Sequence, residues 1–366
     1  MPAQRRRRFN AGERQGIAIA LAGHTLINFA SNDYLGLANH PEVCAAAIWS
    51  IESKGLGSGA SRLVSGDDPS IHQLEEELAA WKDYEACLIV GSGMLANMGL
   101  LQALADRHTQ LFADKLNHAS LVDGARLSGA TVYRYSHLDY VQLQGLLQKQ
   151  PGERNLIVSD GVFSMDGDCA DVAAMLSLAA HHDALLVIDD AHGIGTLGDG
   201  RGLTAKAKIA GHPRLIEVGT FGKAFGGYGA FILGSHELID GLRQRLRTMF
   251  YSTALPASIF DAMLVSLNLI KQGELTRKLQ ANILTFRELT QGLPLLESHT
   301  AIQPLMLGSD DRALDAAEAL LDAGFFVPAI RPPTVPEGMA RLRITLSAAH
   351  TSDQIERLAT ALRELV

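Results

Sequence analysis

The stretch LLVIDDAHG, residues 185–193, indicates both the fold of this chain and the place of its chemistry. Four apolar residues in a row are typical of a strand that is buried on both faces, as in parallel sheets covered by helices. Open α/β sheets place their ligands at the carboxyl ends of such strands. Asp189 and His192, which follow the run, are therefore candidates for a ligand site, with a capping role in the turn as the alternative.

A second apolar run, residues 215–218, is followed by the glycine-rich stretch GTFGKAFGG, residues 219–227. Lys223 is flanked there by small residues, and desolvation would favour the neutral amine that Schiff-base chemistry requires. Thr220 offers a hydroxyl to a phosphate. A surface lysine in a flexible loop is the alternative for this stretch taken alone.

Asp189 and Lys223 together indicate a ligand site more strongly than either residue does alone. The 34 positions between them leave room for one strand–helix–strand excursion, so both can end at one edge of a sheet. A buried carboxylate needs a cationic partner, and a protonated pyridine nitrogen is such a partner. A lysine that forms a Schiff base and a carboxylate that keeps the ring protonated together predict a pyridoxal phosphate (PLP) site, with His192 near the ring hydroxyl.

The loop GSGM, residues 91–94, is a candidate for binding the cofactor phosphate. It follows the apolar run 86–90 and opens a predicted helix, so the backbone N–H groups of Ser92, Gly93 and Met94 can face an anion. The loop matches neither the Walker pattern nor G-x-G-x-x-G, and glycine-rich turns of this kind are common.

Two further loops carry polar residues. His118, within DKLNHAS (residues 114–120), can stack on a flat cofactor ring, with a structural role as the alternative. Ser164 lies in GVFSMDGD, residues 161–168, which faintly resembles a calcium loop but lacks its downstream glutamate. We therefore predict no metal site.

Composition narrows the possible functions. A formal net charge of −8 on 366 residues argues against a nucleic-acid or anionic-membrane partner, apart from the basic run 5–8. Cys44, Cys87 and Cys169 are odd in number and lack metal-ligand spacing, as expected of reduced thiols. Because no signal-peptide pattern or membrane-length apolar run is found either, we expect a cytoplasmic location.

Apolar periodicity predicts an α/β fold with a mainly parallel, seven-stranded-type sheet, helices on both faces, and a small C-terminal α+β domain. In the first part of the chain the predicted strands are 86–90, 155–159, 184–188 and 215–218, and the predicted helices include 70–81 and 172–181. In the last part the predicted strands are 303–307, 325–329 and 341–346, and the predicted helices are 311–323 and 352–365. The corresponding domains are an N-terminal arm (1–40), a large PLP-binding domain (41–260) and a C-terminal domain (261–366).

Six motifs follow one another in an order that resembles the α-oxoamine synthase family of fold-type I PLP enzymes. They are SNDYLGL (31–37), GSGASR (57–62), NHAS (117–120), VFSMDG (162–167), DDAHG (189–193) and TFGK (220–223). The resemblance covers nearly the whole chain.

The stretch IRPPTVP, residues 330–336, is similar to the branch of that family that condenses L-alanine with pimeloyl-CoA or a pimeloyl carrier protein and releases carbon dioxide. The resemblance implies that Arg331 binds the amino-acid carboxylate and that Thr334 lines the acyl-substrate site. It also implies that Arg6 binds the acyl substrate and that Asn32 contacts substrate.

The resemblance further implies roles around the cofactor. Lys223 would remove the Cα proton, and His118 would stack on the ring and orient the substrate. His192 and Ser164 would tune the cofactor oxygen and the carboxylate geometry. Met94 stands where many relatives carry an aromatic residue, so only its backbone role is expected. A homodimer with a shared active site is also implied, with Thr253 reaching the partner's cofactor phosphate.

Three alternative functions stay open at this point. Another family member, such as glycine C-acetyltransferase, would differ in its amino acid and thioester. A non-catalytic PLP-fold regulatory subunit would keep the fold without the chemistry. A nicotinamide-dependent oxidoreductase suits the sheet but lacks its fingerprint, and we place it last.

Overall fold

The computed structural model describes residues 11–21, 23–150 and 152–365. The strands within these ranges form three sheets. These sheets belong to two units. The larger unit comprises His40–Phe163 and Cys169–Gln272, and the smaller one comprises the described residues up to Asn39, Ser164–Asp168 and those from Gly273 onward. Arg6 lies outside the described residues.

The larger unit is built on a seven-stranded sheet with the order β4-β10-β9-β8-β7-β5-β6. Its strands are β4 (Ala86–Val90), β5 (Thr109–Asp114), β6 (Thr131–Tyr135), β7 (Arg154–Asp160), β8 (Ala184–Asp189), β9 (Leu215–Thr220) and β10 (Ala230–Gly234). Neighbouring strands are parallel except at β10, which runs antiparallel to both β9 and β4. The predicted mainly parallel, seven-stranded sheet is confirmed, and the four strands predicted in this unit are present.

Most helices of this unit begin at a capping side chain or a proline. They are α1 (Pro41–Lys54), α2 (Pro69–Trp81), α3 (Gly93–Leu104), α4 (Ala119–Ser128), α5 (Tyr140–Lys149), α6 (Val172–His181), α7 (Leu203–Lys206), α8 (His236–Arg245), α9 (Arg247–Phe250) and α10 (Ala257–Lys271). Asp171, for example, accepts a hydrogen bond from the backbone of Ala174 and so caps α6. Leu88, Val158, Val187 and Val218 from the sheet pack with α3, α4 and α8 into one apolar core.

The smaller unit contains two short sheets. One has the order β1-β2-β3-β12 and the other β11-β14-β13. The strands are β1 (Gly12–Gln15), β2 (Ala18–Leu21), β3 (His24–Asn28), β11 (Ile302–Gly308), β12 (Phe325–Phe326), β13 (Ala329–Ile330) and β14 (Ala340–Thr345), and the helices are α11 (Glu274–Leu289), α12 (Asp310–Asp322) and α13 (Ser352–Leu365).

The prediction of one strand over residues 325–329 is wrong. β12 pairs in parallel with β3, whereas β13 pairs antiparallel with β14, so the stretch contributes to two different sheets. Pro328 lies between them, and a proline has no N–H to continue a ladder. Its carbonyl instead accepts a hydrogen bond from the backbone of Arg343.

Residues 12–28, within the predicted arm, form the antiparallel strands β1 to β3. The division into an arm, a large domain and a C-terminal domain at residues 40 and 260 stays a prediction. Among the described residues, no helix is both long and apolar enough to cross a membrane, and no group of three or more His, Cys, Asp or Glu side chains could hold a metal ion.

Candidate active site

Polar residues gather at the carboxyl edge of the seven-stranded sheet. Asp160 ends β7 and Asp189 ends β8, and the two are directly paired in the parallel register. Thr220 ends β9, the next strand, and Lys223 follows it. Because parallel strands end at the same edge, the two motifs that the sequence singled out meet there.

Asp189 is a buried carboxylate with two uncharged donors. Its Oδ2 accepts a hydrogen bond from Asn97 Nδ2 at 2.6 Å, and its Oδ1 accepts one from the backbone N–H of Ala191 at 3.0 Å. The side chain is almost entirely withdrawn from solvent. Such a group is costly to bury as an anion unless a cation meets it, which makes it a suitable partner for a cationic ring nitrogen.

A short chain of hydrogen bonds joins Asp189 to His118. Asn97 Nδ2 also donates to Ser120 Oγ at 2.9 Å, and Ser120 Oγ lies 2.7 Å from His118 Nδ1. The same ring nitrogen accepts the backbone N–H of Ser120 at 3.2 Å, so His118 caps the start of α4. A nitrogen that accepts an N–H carries no proton, and the imidazole is therefore neutral with its proton at Nε2.

The electrostatic surroundings agree with a neutral His118. Although the residue is exposed as a whole, desolvation of the ring lowers its pKa. The charge of Asp189 raises the pKa of His118 and the charge of Lys223 lowers it, so all three groups lie within electrostatic range of one another. A neutral, flat ring beside a lysine and a carboxylate is suited to stacking on an aromatic cofactor.

Asp160 is a second buried carboxyl group in the site. Its Oδ2 accepts the backbone N–H of His118 at 2.6 Å, and its own backbone N–H donates to Asn117 Oδ1. Burial first, and then the charge of Asp189, raise the pKa of Asp160 well above its ordinary value. Asp160 therefore holds a proton more readily than an exposed carboxyl group does.

The loop after β8 is fixed by a buried charged cluster. Lys82 Nζ lies 2.6 Å from Glu217 Oε1, and both side chains are wholly buried. Asp190 accepts the backbone N–H of Leu203 at 2.6 Å, and burial raises the pKa of Asp190. Gly202 closes the loop at a φ of +89°, where an added Cβ would lie 2.1 Å from Asp190 Oδ2, so only glycine fits.

This cluster supports His192, which is buried in the same loop. The backbone carbonyl of His192 accepts the hydroxyl of Thr196 at 2.8 Å, and Thr196 also donates to the carbonyl of Gly193. The loop that carries His192 is thus held by its own backbone. Contact between His192 and a cofactor hydroxyl stays a prediction.

The loop predicted to bind phosphate opens α3. Ser92 caps the helix by accepting the backbone N–H of Leu95 at 3.3 Å, and a Cβ added at Gly93 would meet nothing within 4 Å. Met94 has 41% of its surface exposed. The N-terminus of α3, with its unpaired N–H groups and positive dipole end, can therefore receive an anion.

Thr220 makes two local hydrogen bonds. Its hydroxyl donates to the carbonyl of Gly229 at 2.9 Å and accepts the backbone N–H of Gly222 at 3.1 Å. These bonds link the end of β9 to the start of β10 and fix the loop that carries Lys223. Direct phosphate binding by Thr220 stays a prediction, as does that by Thr253, which is exposed after α9.

The smaller unit contains Asn32, Arg331 and Thr334, three of the residues predicted to bind substrate. Arg343, on β14, is buried and donates to the carbonyl of Ser164 at 2.5 Å and to Asn32 Oδ1 at 3.2 Å. Arg331 and Thr334 lie in the turn after β13, where the N–H of Thr334 donates to the carbonyl of Arg331. The structure therefore brings Asn32 and Ser164 together around an arginine that the sequence reasoning missed.

Arg341 and Arg343 differ in their partners, and only Arg343 is a candidate for binding an anionic ligand. Arg341 forms an ion pair with Asp166. Arg343 meets carbonyl and hydroxyl oxygens but no carboxylate within the described part of the chain. A buried guanidinium without an anion is suited to a ligand carboxylate.

Sequence reasoning missed Asn97, Asp160 and Arg343 for different reasons. Asn97 is a polar residue in a helix that is otherwise apolar except for Gln102, and that contrast was the available signal. Asp160 is the last residue of β7, one position beyond the predicted strand, where the rule used for Asp189 applies equally. Arg343 alternates with apolar residues on a strand and resembles a surface residue in sequence.

Known proteins resemble this chain over nearly its whole length. A model of the family "aminotransferase class I and II" matches residues 24–362. The 8-amino-7-oxononanoate synthase 1 of Polaromonas sp. (strain JS666) is 47% identical over 372 residues, which cover 99% of this chain and 92% of the relative. The chain belongs to the 8-amino-7-oxononanoate synthase family. The resemblance inferred from the ordered motifs is thereby confirmed.

Solved structures of related enzymes have the same fold. The 8-amino-7-oxononanoate synthase of Francisella tularensis is 30% identical and superposes with a TM-score of 0.80, covering 93% of this chain and 97% of that one. A serine palmitoyltransferase of S. paucimobilis, solved with bound PLP and myriocin, is 28% identical with a TM-score of 0.92, covering 96% and 90%. The predicted fold-type I architecture is confirmed for this member of the family.

Proposed function

We propose that this chain condenses L-alanine with pimeloyl-CoA, or with pimeloyl carrier protein, to give 8-amino-7-oxononanoate, carbon dioxide and free CoA or carrier, a step of biotin biosynthesis. The names of relatives up to 48% identical over nearly the whole chain support the reaction. The observation that carries the chemistry is the meeting of Asp189 and Lys223 at adjacent strand ends, within electrostatic range of the neutral His118.

The residues at the sheet edge fit PLP as the cofactor. Asp189 is a buried carboxylate whose two donors are both neutral, and it can pair with a protonated pyridine nitrogen. The open N-terminus of α3 at Ser92 and Gly93 can receive the phosphate. When bound through Lys223 as a Schiff base, PLP would supply an electron sink for the bond-breaking steps.

The protein side of the reaction is proton transfer and positioning. Once the amino group of alanine has displaced it from the cofactor, the neutral amine of Lys223 would take the proton from Cα of alanine and later return a proton to the product. Asp189 would pair with the cofactor nitrogen and favour its protonated form. His118, neutral and fixed at Nδ1 by Ser120, presents a flat ring without adding a charge, and His192 and Ser164 orient the cofactor oxygen.

The carboxylate of alanine requires a cation, and two arginines are available. Arg331 is the residue implied by the family motif. Arg343 is a second candidate, because it is buried, contacts Asn32 and the carbonyl of Ser164, and pairs with no carboxylate among the described residues. Thr334 would line the acyl site, and Arg6, outside the described residues, would bind the acyl substrate.

A homodimer is the proposed assembly. Helix α1 and the loop after it expose large apolar side chains, a pattern typical of a surface covered by another protein. They are Ile48, Trp49, Ile51, Leu56, Leu63 and Val64. Covering by a second copy would also bring Thr253 to a partner's cofactor phosphate. We propose a cytoplasmic location as well, since none of the three cysteines forms a disulfide.

The first experiment is a visible absorption spectrum of the purified protein with PLP, before and after L-alanine and then pimeloyl-CoA. We expect a band that changes with alanine, and carbon dioxide release only after the pimeloyl thioester is added. Lys223→Ala should lose the band and turnover, whereas Lys206→Ala, at an exposed position, should keep both.

Other outcomes would change or remove the proposal. A response to glycine and a short acyl-CoA would move the enzyme to a sister activity such as glycine C-acetyltransferase. A band without turnover on any thioester would indicate a non-catalytic subunit. A wild-type protein that binds no PLP would refute the proposal.

A further inference from the structure

Asn97 is a polar side chain where an apolar one is expected. Helix α3 is otherwise rich in Leu, Ala, Met and Gly, and Asn97 is fully buried beside Ala96 and Leu100. Asparagine is a poor helix former, and its carboxamide is costly to bury without partners. Its presence at this position therefore calls for an explanation in its contacts.

Those contacts use both protons of one amide nitrogen. Nδ2 donates to Asp189 Oδ2 at 2.6 Å and to Ser120 Oγ at 2.9 Å. Asn97 Oδ1 is buried and has no hydrogen-bond partner among the described residues. Rotating the amide by half a turn would place this oxygen against the carboxylate of Asp189, so the negative charge of Asp189 fixes the orientation.

Ser120 passes this orientation on to His118. Ser120 Oγ accepts from Asn97 and lies 2.7 Å from His118 Nδ1, which also accepts the backbone N–H of Ser120. Because Nδ1 carries no proton, the hydroxyl proton of Ser120 must point toward it. One amide thus determines which atoms of Asp189 and His118 are acceptors.

We propose that Asn97 is a positioning residue that aligns Asp189 with the cofactor nitrogen and, through Ser120, fixes the tautomer and ring orientation of His118. This inference rests on the proposed function, because it assigns the network to bound PLP. Without Asn97, Asp189 keeps only the Ala191 N–H, on Oδ1, as a hydrogen-bond donor from the described residues, so its Oδ2 is no longer held. Partners that orient a ligand-binding group usually affect affinity or activity by about tenfold to a hundredfold.

The test compares the wild type with Asn97→Asp, which keeps the shape and replaces the amide donors with oxygen. We expect Asn97→Asp to raise the dissociation constant of PLP by about tenfold to a hundredfold. The pH midpoint of the visible band of bound PLP should shift, and kcat should fall much more than KM for alanine changes. Ser120→Ala should shift the pH midpoint while largely keeping PLP affinity.

Asn282→Asp is the matched control. Asn282 is a buried asparagine of the smaller unit whose amide donates to the backbone carbonyls of Ser347 and His350. Its loss should lower thermal stability but leave PLP affinity and the pH midpoint unchanged. A general effect of replacing a buried asparagine is thereby separated from positioning.

Each failure has its own signature. If Asn97→Asp binds PLP as tightly as the wild type with the same pH midpoint, the positioning role is wrong. If Asn97→Asp does not fold, an unchanged pH midpoint in Ser120→Ala overturns the role of Asn97 in fixing His118. A wild type without a PLP band would refute the proposed function and this inference with it, whereas a wild type that binds PLP beside an unaffected Asn97→Asp overturns this inference alone.

Discussion

Replacing His350 with asparagine should remove most of one acid-dependent component of stability. His350 is buried in the smaller unit and stacks on Phe29, with ring centroids 3.9 Å apart. Its Nδ1 accepts the backbone N–H of Ser347 at 2.9 Å, and its Nε2 faces the carbonyl of Asn28 at 3.2 Å. Both contacts suit the neutral ring, and burial lowers the pKa of His350 from 6.5 to about 4.

The direction of the effect follows from proton binding. The unfolded chain takes up a proton on His350 as pH falls through about 6.5, whereas the folded chain does so only near 4. Stability from this group is therefore fully present above the unfolded pKa and is lost as pH falls from about 6.5 to about 4. At about 1.4 kcal/mol per pKa unit the full loss is about 3.5 kcal/mol, of which about 2.5 kcal/mol has occurred at pH of about 4.5.

The assay is urea unfolding of the wild type, His350→Asn and a control, His24→Asn, at about pH 7.5 and about pH 4.5 and at one protein concentration. His24 is exposed, so the control should lose as much free energy of unfolding on acidification as the wild type. His350→Asn keeps an acceptor for Ser347 and should lose about 2 to 3 kcal/mol less. An equal loss in all three proteins would refute the reasoning.

Three further predictions concern other buried charges. Lys82→Met alone should lower the free energy of unfolding by about 3 to 5 kcal/mol, because Glu217 is left buried and unpaired, and adding Glu217→Leu should recover most of that loss. Lys54→Met, at a part-exposed ion pair, should lower it by at most about 1 kcal/mol. A similar loss at both sites in urea unfolding would contradict this prediction. Arg343→Lys should raise KM for alanine about tenfold or more in steady-state kinetics, because a lysine lacks the planar fork that grips a carboxylate, and an unchanged KM would leave that role to another residue. Asp160→Asn should gain stability relative to the wild type as pH rises above about 4. Because the pKa of Asp160 is raised in the folded chain, its contribution to the free energy of unfolding is present at low pH and is lost as pH rises. Parallel curves of unfolding free energy for the two proteins between about pH 4 and pH 8 would contradict this prediction.

The sequence predicted the parts of the fold whose cause is local. β8 was recognisable because an uninterrupted apolar run has no other stable place than a buried sheet, and β9 because its run 215–218 is apolar apart from Glu217. α6 was recognisable because its apolar periodicity begins just after the capping Asp171. Residues 325–329 were misjudged because Pro328 divides the run, and pairing with β3 and β14 depends on partners far away in the chain.

The sequence alone marked Asp189 and Lys223 as site residues at the ends of strands. A carboxylate that emerges from a buried strand costs free energy unless a ligand or a charged partner meets it. Only the tertiary structure decided what holds them. Asn97 lies 92 positions from Asp189, and Lys82 lies 135 positions from Glu217, yet each pair is in hydrogen-bond contact. Such partners leave no periodic signal, because a hydrogen bond depends on the distance between two atoms and not on the number of residues between them.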